Sequence, residues 1–247
     1  MTAILNIART EWRRIFLSPL AWAVLAVVQF ITGFVFINLI AQYAAASADG
    51  SDLGVSDVVA GSLYGFATVL LLLIIPLMTM RLFAEERKTG SITLLFSAPV
   101  SLTEIVLGKF LGVLGFIAVV VVLMALMPLS LAWSTDMDWG RVAAGLVGLF
   151  LLMMAFAAAG LFVSSLTREP TIAAVASFGL LLVIWLSNIL AYNDSVPFKE
   201  VFSYLSLIDH FESLRRGVFA TADVVYYFLF SALFLWLTVL RLDIERN

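Results

Sequence analysis

The chain has no cysteine and one histidine, His210. The first absence excludes disulfides, thiolate nucleophiles and Cys-ligated metals. The second excludes a histidine cluster within one chain. Charge is also scarce: 13% of residues are Asp, Glu, Lys or Arg, about half the usual share. No GxxxxGK[ST] phosphate loop occurs, so energy from ATP would have to come through a separate subunit. No acidic or basic residue falls in the middle of a long apolar run, where such residues mark proton and ion pathways. Together these absences leave no material for a catalytic site, and no nucleic-acid partner is expected.

What is present is apolar. Hydrophobic residues make up 63% of the 247, with a mean hydropathy of +1.09. Soluble domains are roughly half apolar, so composition alone makes this an integral membrane protein in a lipid bilayer. About 20 apolar residues cross a bilayer. Six runs meet that length or come close to it: 20–42, 59–80, 102–133, 141–166, 170–192 and 224–240. The connections leave no room for a soluble module, so residues 1–247 read as a single all-α transmembrane domain. No small-residue cleavage site follows a short apolar core at the N-terminus, so no removable leader is expected.

Local chemistry sets the helix ends. Ile4, Ile7, Ala8, Glu11, Trp12, Ile15 and Phe16 recur at helical spacing, with Arg9, Arg13 and Arg14 on other faces. That pattern predicts an interfacial helix with Trp12 as its anchor. Ser18-Pro19 ends it and opens span one. Pro76 bends span two near its end. Ser101-Leu-Thr-Glu104 is a capping box opening span three. Gly108 and Gly112, four apart, predict close approach of a neighbouring helix. Small residues along span four, Gly145, Gly148, Ala155, Ala159 and Gly160, predict that it packs inside the bundle. Pro170 suits the first turn of span five.

Two polar segments stand out. The first, 81–101, carries Arg81, Glu85, Glu86, Arg87 and Lys88, then Gly90 and an apolar run from Ile92 to Phe96. It is long enough for a helix of its own across the membrane face. A solvated charged loop is the alternative. The second, 193–223, has Phe198, Val201, Phe202, Leu205 and Ile208 at helical spacing, then Phe211, Leu214 and Val218. This predicts two short amphipathic helices, the second ended by Gly217, with Thr221 or Asp223 capping span six. His210, beside Asp209 and Glu212, reads as part of a local charge network. Within the spans, Gln29, Asn38 and Asn188 could line a polar passage or bond between helices. The methionines read as packing, and no metal site is expected.

Basic residues give orientation. Arg9, Arg13, Arg14, Arg81, Arg87, Lys88, Lys109, Arg168, Arg241 and Arg246 fall on one side; Arg141, Lys199, Arg215 and Arg216 fall on the other. Ten against four places both termini and the 81–101 segment in the cytoplasm. Asp49, Asp52, Asp57, Asp136, Asp138 and 193–223 then lie outside.

The run RLFAEERKTGS from Arg81, with Leu94-Leu95, Ala98-Pro99-Val100 and Gly108-Lys109-Phe110, resembles the cytoplasmic loop of ABC-2 type transporter permeases. The six-span order, the helix ending at Ser18-Pro19, and the outer His210-Phe211-Glu212 with Arg216-Gly217-Val218 resemble the gliding-motility and nitrous-oxide-reductase-maturation (GldF/NosY-like) branch. The resemblance covers the whole chain. It implies a permease of the bacterial inner membrane, working as a homodimer with two ATPase subunits that hold ATP and Mg. It also implies that the loop is a coupling helix, with Arg81, Phe83, Glu85, Glu86, Arg87, Lys88, Gly90, Leu94, Leu95 and Phe96 at the ATPase. Phe202, His210, Phe211, Glu212 and Arg216 would face an extracytoplasmic partner or gate. Export of a substrate and transmission of force both fit; a membrane scaffold that transports nothing is the alternative from another class. One departure is visible: Gly90-Ser-Ile-Thr93 stands where the family often has Gly-Thr-x-Glu, so one interfacial charge is missing.

Overall fold

A computed structural model describes residues 2–48, 54–97, 99–133, 135, 137–191, 204 and 206–246. Asp49, Asp52, Asp136 and residues 193–203, Phe202 among them, lie outside the described residues. Every described element is helical. In order they are α1 (Thr2–Leu17), α2 (Pro19–Ala48), a π-helix (Asp57–Leu63), α3 (Tyr64–Thr79), α4 (Arg81–Thr89), α5 (Ile92–Ser97) and α6 (Leu102–Ser130). Then come α7 (Trp139–Leu166), α8 (Pro170–Ala191), α9 (Leu207–Arg215) and α10 (Thr221–Arg246).

Among the described residues, five helical stretches are long and apolar enough to cross a membrane: Pro19–Ala46, Gly61–Thr89, Leu102–Ser130, Trp139–Leu166 and Thr221–Arg246. The expected fifth span corresponds to α8, whose apolar stretch is Pro170–Leu186. The Gly61–Thr89 stretch is 29 residues, about 43 Å at 1.5 Å per residue. The hydrocarbon core is about 30 Å thick, so its charged last two turns extend past the apolar layer.

The helix ends follow the expected chemistry. Ser101 Oγ accepts from the Glu104 amide at 3.2 Å, and Glu104 Oε2 accepts from the Ser101 amide at 3.0 Å. Proline opens α2 and α8. Gly90 and Gly217 end α4 and α9 at φ of 76° and 85°, a left-handed region costly for other residues.

The bundle has two polar ends. At one, α1, α4, the start of α6, the α7–α8 turn and the end of α10 meet through ion pairs. At the other, α9 and the π-helix meet the start of α7. There Asp57 pairs with Arg141, and the Asp138 amide donates to Ser56 Oγ at 2.8 Å. Between the ends α7 forms the axis, with 78% of its spanning window buried against 22–61% for the other four. Its glycines let neighbours in. A Cβ at Gly145 would lie 2.7 Å from the Tyr64 ring, and one at Gly148 would lie 2.9 Å from Leu214.

The partner of Gly108 and Gly112 is α1, not another long span. A Cβ at Gly108 would meet Ile7 at 2.6 Å, and one at Gly112 would meet Glu11 at 2.8 Å. Trp12 covers Gly115, and Phe16 touches Phe116. The numbers rise together, so α1 runs parallel to the first half of α6 and is packed onto it. Its exposed face carries Arg9 and Arg13.

Of the α7 glycines the tightest is Gly160, where an added Cβ would overlap Thr79 Oγ1. Gly160→Ala should therefore lower the melting temperature of the purified protein. Adding Thr79→Ala should recover part of the loss, despite forfeiting the Thr79 hydrogen bond, because contacting sites couple. Strictly additive losses in the double mutant would refute this account of the crossing.

Candidate functional site

The first polar end is built around the junction of α3 and α4. Pro76 has no amide hydrogen, so the bond back to Leu72 is missing, and α3 passes into α4 through Met80, whose backbone stays helical. The Thr79 hydroxyl bonds back to the Ile75 carbonyl at 3.1 Å. The first turn of α4 then exposes amide donors. Ser164 on α7 receives two of them: the Phe83 and Ala84 amides each donate to its Oγ at 3.1 Å. Its own hydroxyl donates to the Met80 carbonyl at 2.9 Å. A residue some 80 positions away thus caps α4 and ties it to the axis of the bundle.

Ionic contacts fix the rest of α4. Lys109 Nζ donates to Glu86 Oε1 at 2.6 Å and lies 3.6 Å from Glu11 Oε2. The Lys109 side chain is 3% exposed, with Glu11 at 9% and Glu86 at 16%. Its ammonium also sits 5.2 Å from the centroid of the buried Phe83 ring, a favourable placement over a π face. Arg14 lies 3.0 Å from Glu85 and 3.7 Å from Glu86. On the next face Arg87, itself buried, pairs with Glu245 near the end of α10. Lys88 bonds Glu169 in the α7–α8 turn at 2.8 Å. Both members of that last pair are exposed, so it contributes little. The buried Glu11–Lys109–Glu86 group is different. Removing one member of such a buried pair leaves a charge without compensation.

This changes the reading of the 81–101 segment. Its charged half is not a separate helix across the membrane face; α4 continues the long Gly61–Thr89 helix. Phe83 and Arg87, expected at a docking surface, are buried inside the chain. Glu86 faces Lys109 and Arg14, and Glu85 faces Arg14. Arg81, Lys88 and Gly90 are exposed. Beyond Gly90, α5 is short. Ile92 is buried and anchors it, Leu95 and Phe96 are half-buried, and Leu94 is 74% exposed.

The expected pathway residues are not brought together. Asn38 Nδ2 donates to the Phe34 carbonyl of its own helix at 2.8 Å. Gln29 is half-buried on α2. Asn188 donates to Ser206 Oγ at 2.9 Å and to Asp209 Oδ1 at 2.7 Å, joining α8 to α9.

At the second polar end the partners of α9 also differ from the expected ones. His210 Nδ1 meets Asp223 Oδ1 at 2.6 Å, and the ring stacks on Tyr226 at 4.1 Å. Asp223 is therefore a histidine partner on α10, and Glu212 belongs to a different cluster. Phe211 is buried at Gly148 rather than presented outward. Burial pushes the Glu212 carboxyl up, but hydrogen bonds from Arg215 and Arg216 outweigh it and hold the group below the usual range. The Arg215 guanidinium also donates to the Gly61 carbonyl of the π-helix. Arg216 is exposed.

Several partners escaped the sequence. Ser164 and Glu245 carry no local signal. Lys109 had one: it is a lysine two turns inside an apolar helix.

Comparison with known families decides the class. A model described as ABC-2 family transporter protein matches residues 5–242. The chain belongs to the ABC-2 transporter family. A search of curated proteins finds no match. This ABC-2 permease is a multi-pass membrane transport component and not a catalytic enzyme on its own. Permeases of the family generally work with an ABC ATPase.

Glu86→Lys in the permease should place an ammonium against Lys109 and Arg14. It should destabilise by about 3 kcal/mol, the lower end for a broken buried pair because Glu86 is partly exposed. Thermal unfolding in detergent reads this. Adding Lys109→Met removes the ammonium–ammonium contact and should return part of the loss. Unchanged melting of Glu86→Lys would show that the pair is not needed for stability.

Proposed function

We propose that this chain is the six-span membrane half of an ABC transporter of the gliding-motility and nitrous-oxide-reductase-maturation branch. Two copies pair in the bacterial inner membrane, with α8 as the fifth crossing and both termini in the cytoplasm. Two ATPase subunits, carrying ATP and Mg, dock at the polar end built on α4. The basic asymmetry of the sequence and the shared end of α1 and α10 support the orientation. The outer ends of α2 and α8 are the proposed contact between copies.

One observation carries the reading. Contacts with α1, α6, α7, α10 and the α7–α8 turn hold α4, while α5 projects past Gly90 with Leu94 74% exposed. A subunit that pushes on α5 moves α4, and α4 is one stretch with α3. Motion applied there enters the long Gly61–Thr89 helix and, through Ser164, the axis of the bundle. The charges expected at the dock therefore stiffen the lever, and the contact falls to Leu94, Leu95, Phe96 and the exposed edge formed by Lys88 and Gly90. At the outer end, Val218 and Phe219 are more than half exposed beside Arg216, a surface suited to an auxiliary protein. The driven step is export of a substrate or delivery of force to that partner. ATP-dependent flux in vesicles containing the ATPase separates the two. A scaffold without transport would show neither flux nor stimulated hydrolysis.

Leu94→Asp should leave the melting temperature unchanged and reduce ATPase recovery in co-purification about tenfold, equivalent to ~1.4 kcal/mol. Full recovery with unchanged coupled hydrolysis would reject α5 as the dock.

Orientation is checked separately. Reporter fusions after Asn247 and within 49–57 should report opposite sides of the membrane. A shared side would overturn the topology.

A further inference from the structure

Beside α4 is a cavity that the coupling reading does not use. It has a volume of about 130 Å³ and lies where α1 breaks into α2, facing the α3–α4 junction. Glu11, Arg14, Arg81 and Glu85 form its polar side, and Leu20 and Leu77 are among its apolar lining. We propose that it holds the head group of a phospholipid carrying both a phosphate and a primary ammonium, of the phosphatidylethanolamine kind.

Charge selects the class. The lining holds two guanidinium groups and two carboxylates. An anion alone would meet both carboxylates, and a cation alone both guanidinium groups. A zwitterion meets each sign with its opposite. Arg81 is exposed and has no ion pair among the described residues, unlike Arg14, which already bridges Glu85 and Glu86. Its fork of donors matches a phosphate. Glu85 is half-buried with one cationic partner, so an ammonium with hydrogens to donate gives it a second. A trimethylated head group has no such hydrogen.

Apolar surface selects a lipid over a free head group. Leu77 is 37% exposed, and Leu73, one turn along the same face of α3, is 53% exposed. They continue the apolar lining away from the charged end, in the direction acyl chains would run. Trp12 and Trp22 are about half exposed on α1 and α2, the level at which tryptophan marks a membrane interface. The cavity has room for about four waters, enough for polar head atoms while the chains stay on the outer wall.

The test uses the purified, delipidated full-length permease. It is titrated in detergent with phosphatidylethanolamine, phosphatidylcholine and phosphatidylglycerol of identical acyl chains, and bound lipid is counted by native mass spectrometry. The ethanolamine lipid should be retained at concentrations at least tenfold lower than either of the others. Arg81→Ala should erase that preference without shifting the lipid-free melting temperature. Leu77→Asn should weaken all three lipids alike, and serves if the arginine variant does not fold. Equal retention of the three lipids by the unaltered protein overturns the proposal, as does a preference that survives Arg81→Ala or lipid binding unaffected by Leu77→Asn. Displacement of the lipid by equimolar soluble phosphoethanolamine would overturn the lipid assignment in favour of a free head group.

Discussion

The charged end of this bundle depends on one buried ammonium. Lys109 is almost wholly removed from water, and an isolated ion there would be prohibitively costly. It is tolerable only where carboxylates converge on it. Glu11 comes from α1 and Glu86 from α4, so the requirement of one side chain brings three helices to a common point. Once α4 is held there, Arg87 reaches α10 and the Ser164 hydroxyl caps the same helix from α7. The positions of the ends of α1, α4 and α10 thus follow from satisfying polar groups, whereas the middle of the bundle is set by how closely helices approach.

That middle is governed by the absence of side chains. Gly145, Gly148 and Gly160 on α7 admit Tyr64, Leu214 and Thr79 to distances that a methyl group would block. Apolar burial does not drive helices together inside a bilayer, where lipid tails are as apolar as leucine, so close packing carries more of the burden. The axis helix is thus held by close contacts at its small faces and, through Ser164, by the polar collar at its end.

Much of the fold was legible wherever a helix boundary has its own chemistry. Pro19 and Pro170 open helices, Ser101 and Glu104 form their capping box, and Gly90 and Gly217 close helices with positive φ. The paired glycines of α6 announced a close neighbour, although spacing alone could not name α1. The candidate site was legible in location only. The charges of 85–88 satisfy the positive-inside rule whether they face water, a partner or each other, so sequence could not show that Glu86 and Arg87 turn inward. The same limit misplaced His210. Its neighbours in sequence, Asp209 and Glu212, point in other directions around the helix, and its carboxylate comes from α10. Long-range pairs of this kind leave no periodic trace.

The π-helix at Asp57–Leu63 has a consequence for how such a chain tolerates insertions. A π turn closes i→i+5 bonds, so it accommodates one residue more than the α-helical path requires. Its extra residue is absorbed beside α9, where the Gly61 carbonyl accepts from Arg215. Below it, α3 keeps the register that sets Tyr64 against Gly145 and Thr79 against Gly160. The segment is thus a place where the gene can carry an additional codon without rotating the faces that meet the axis. Removal of one codon there would straighten the turn and leave the Arg215 guanidinium to find another acceptor.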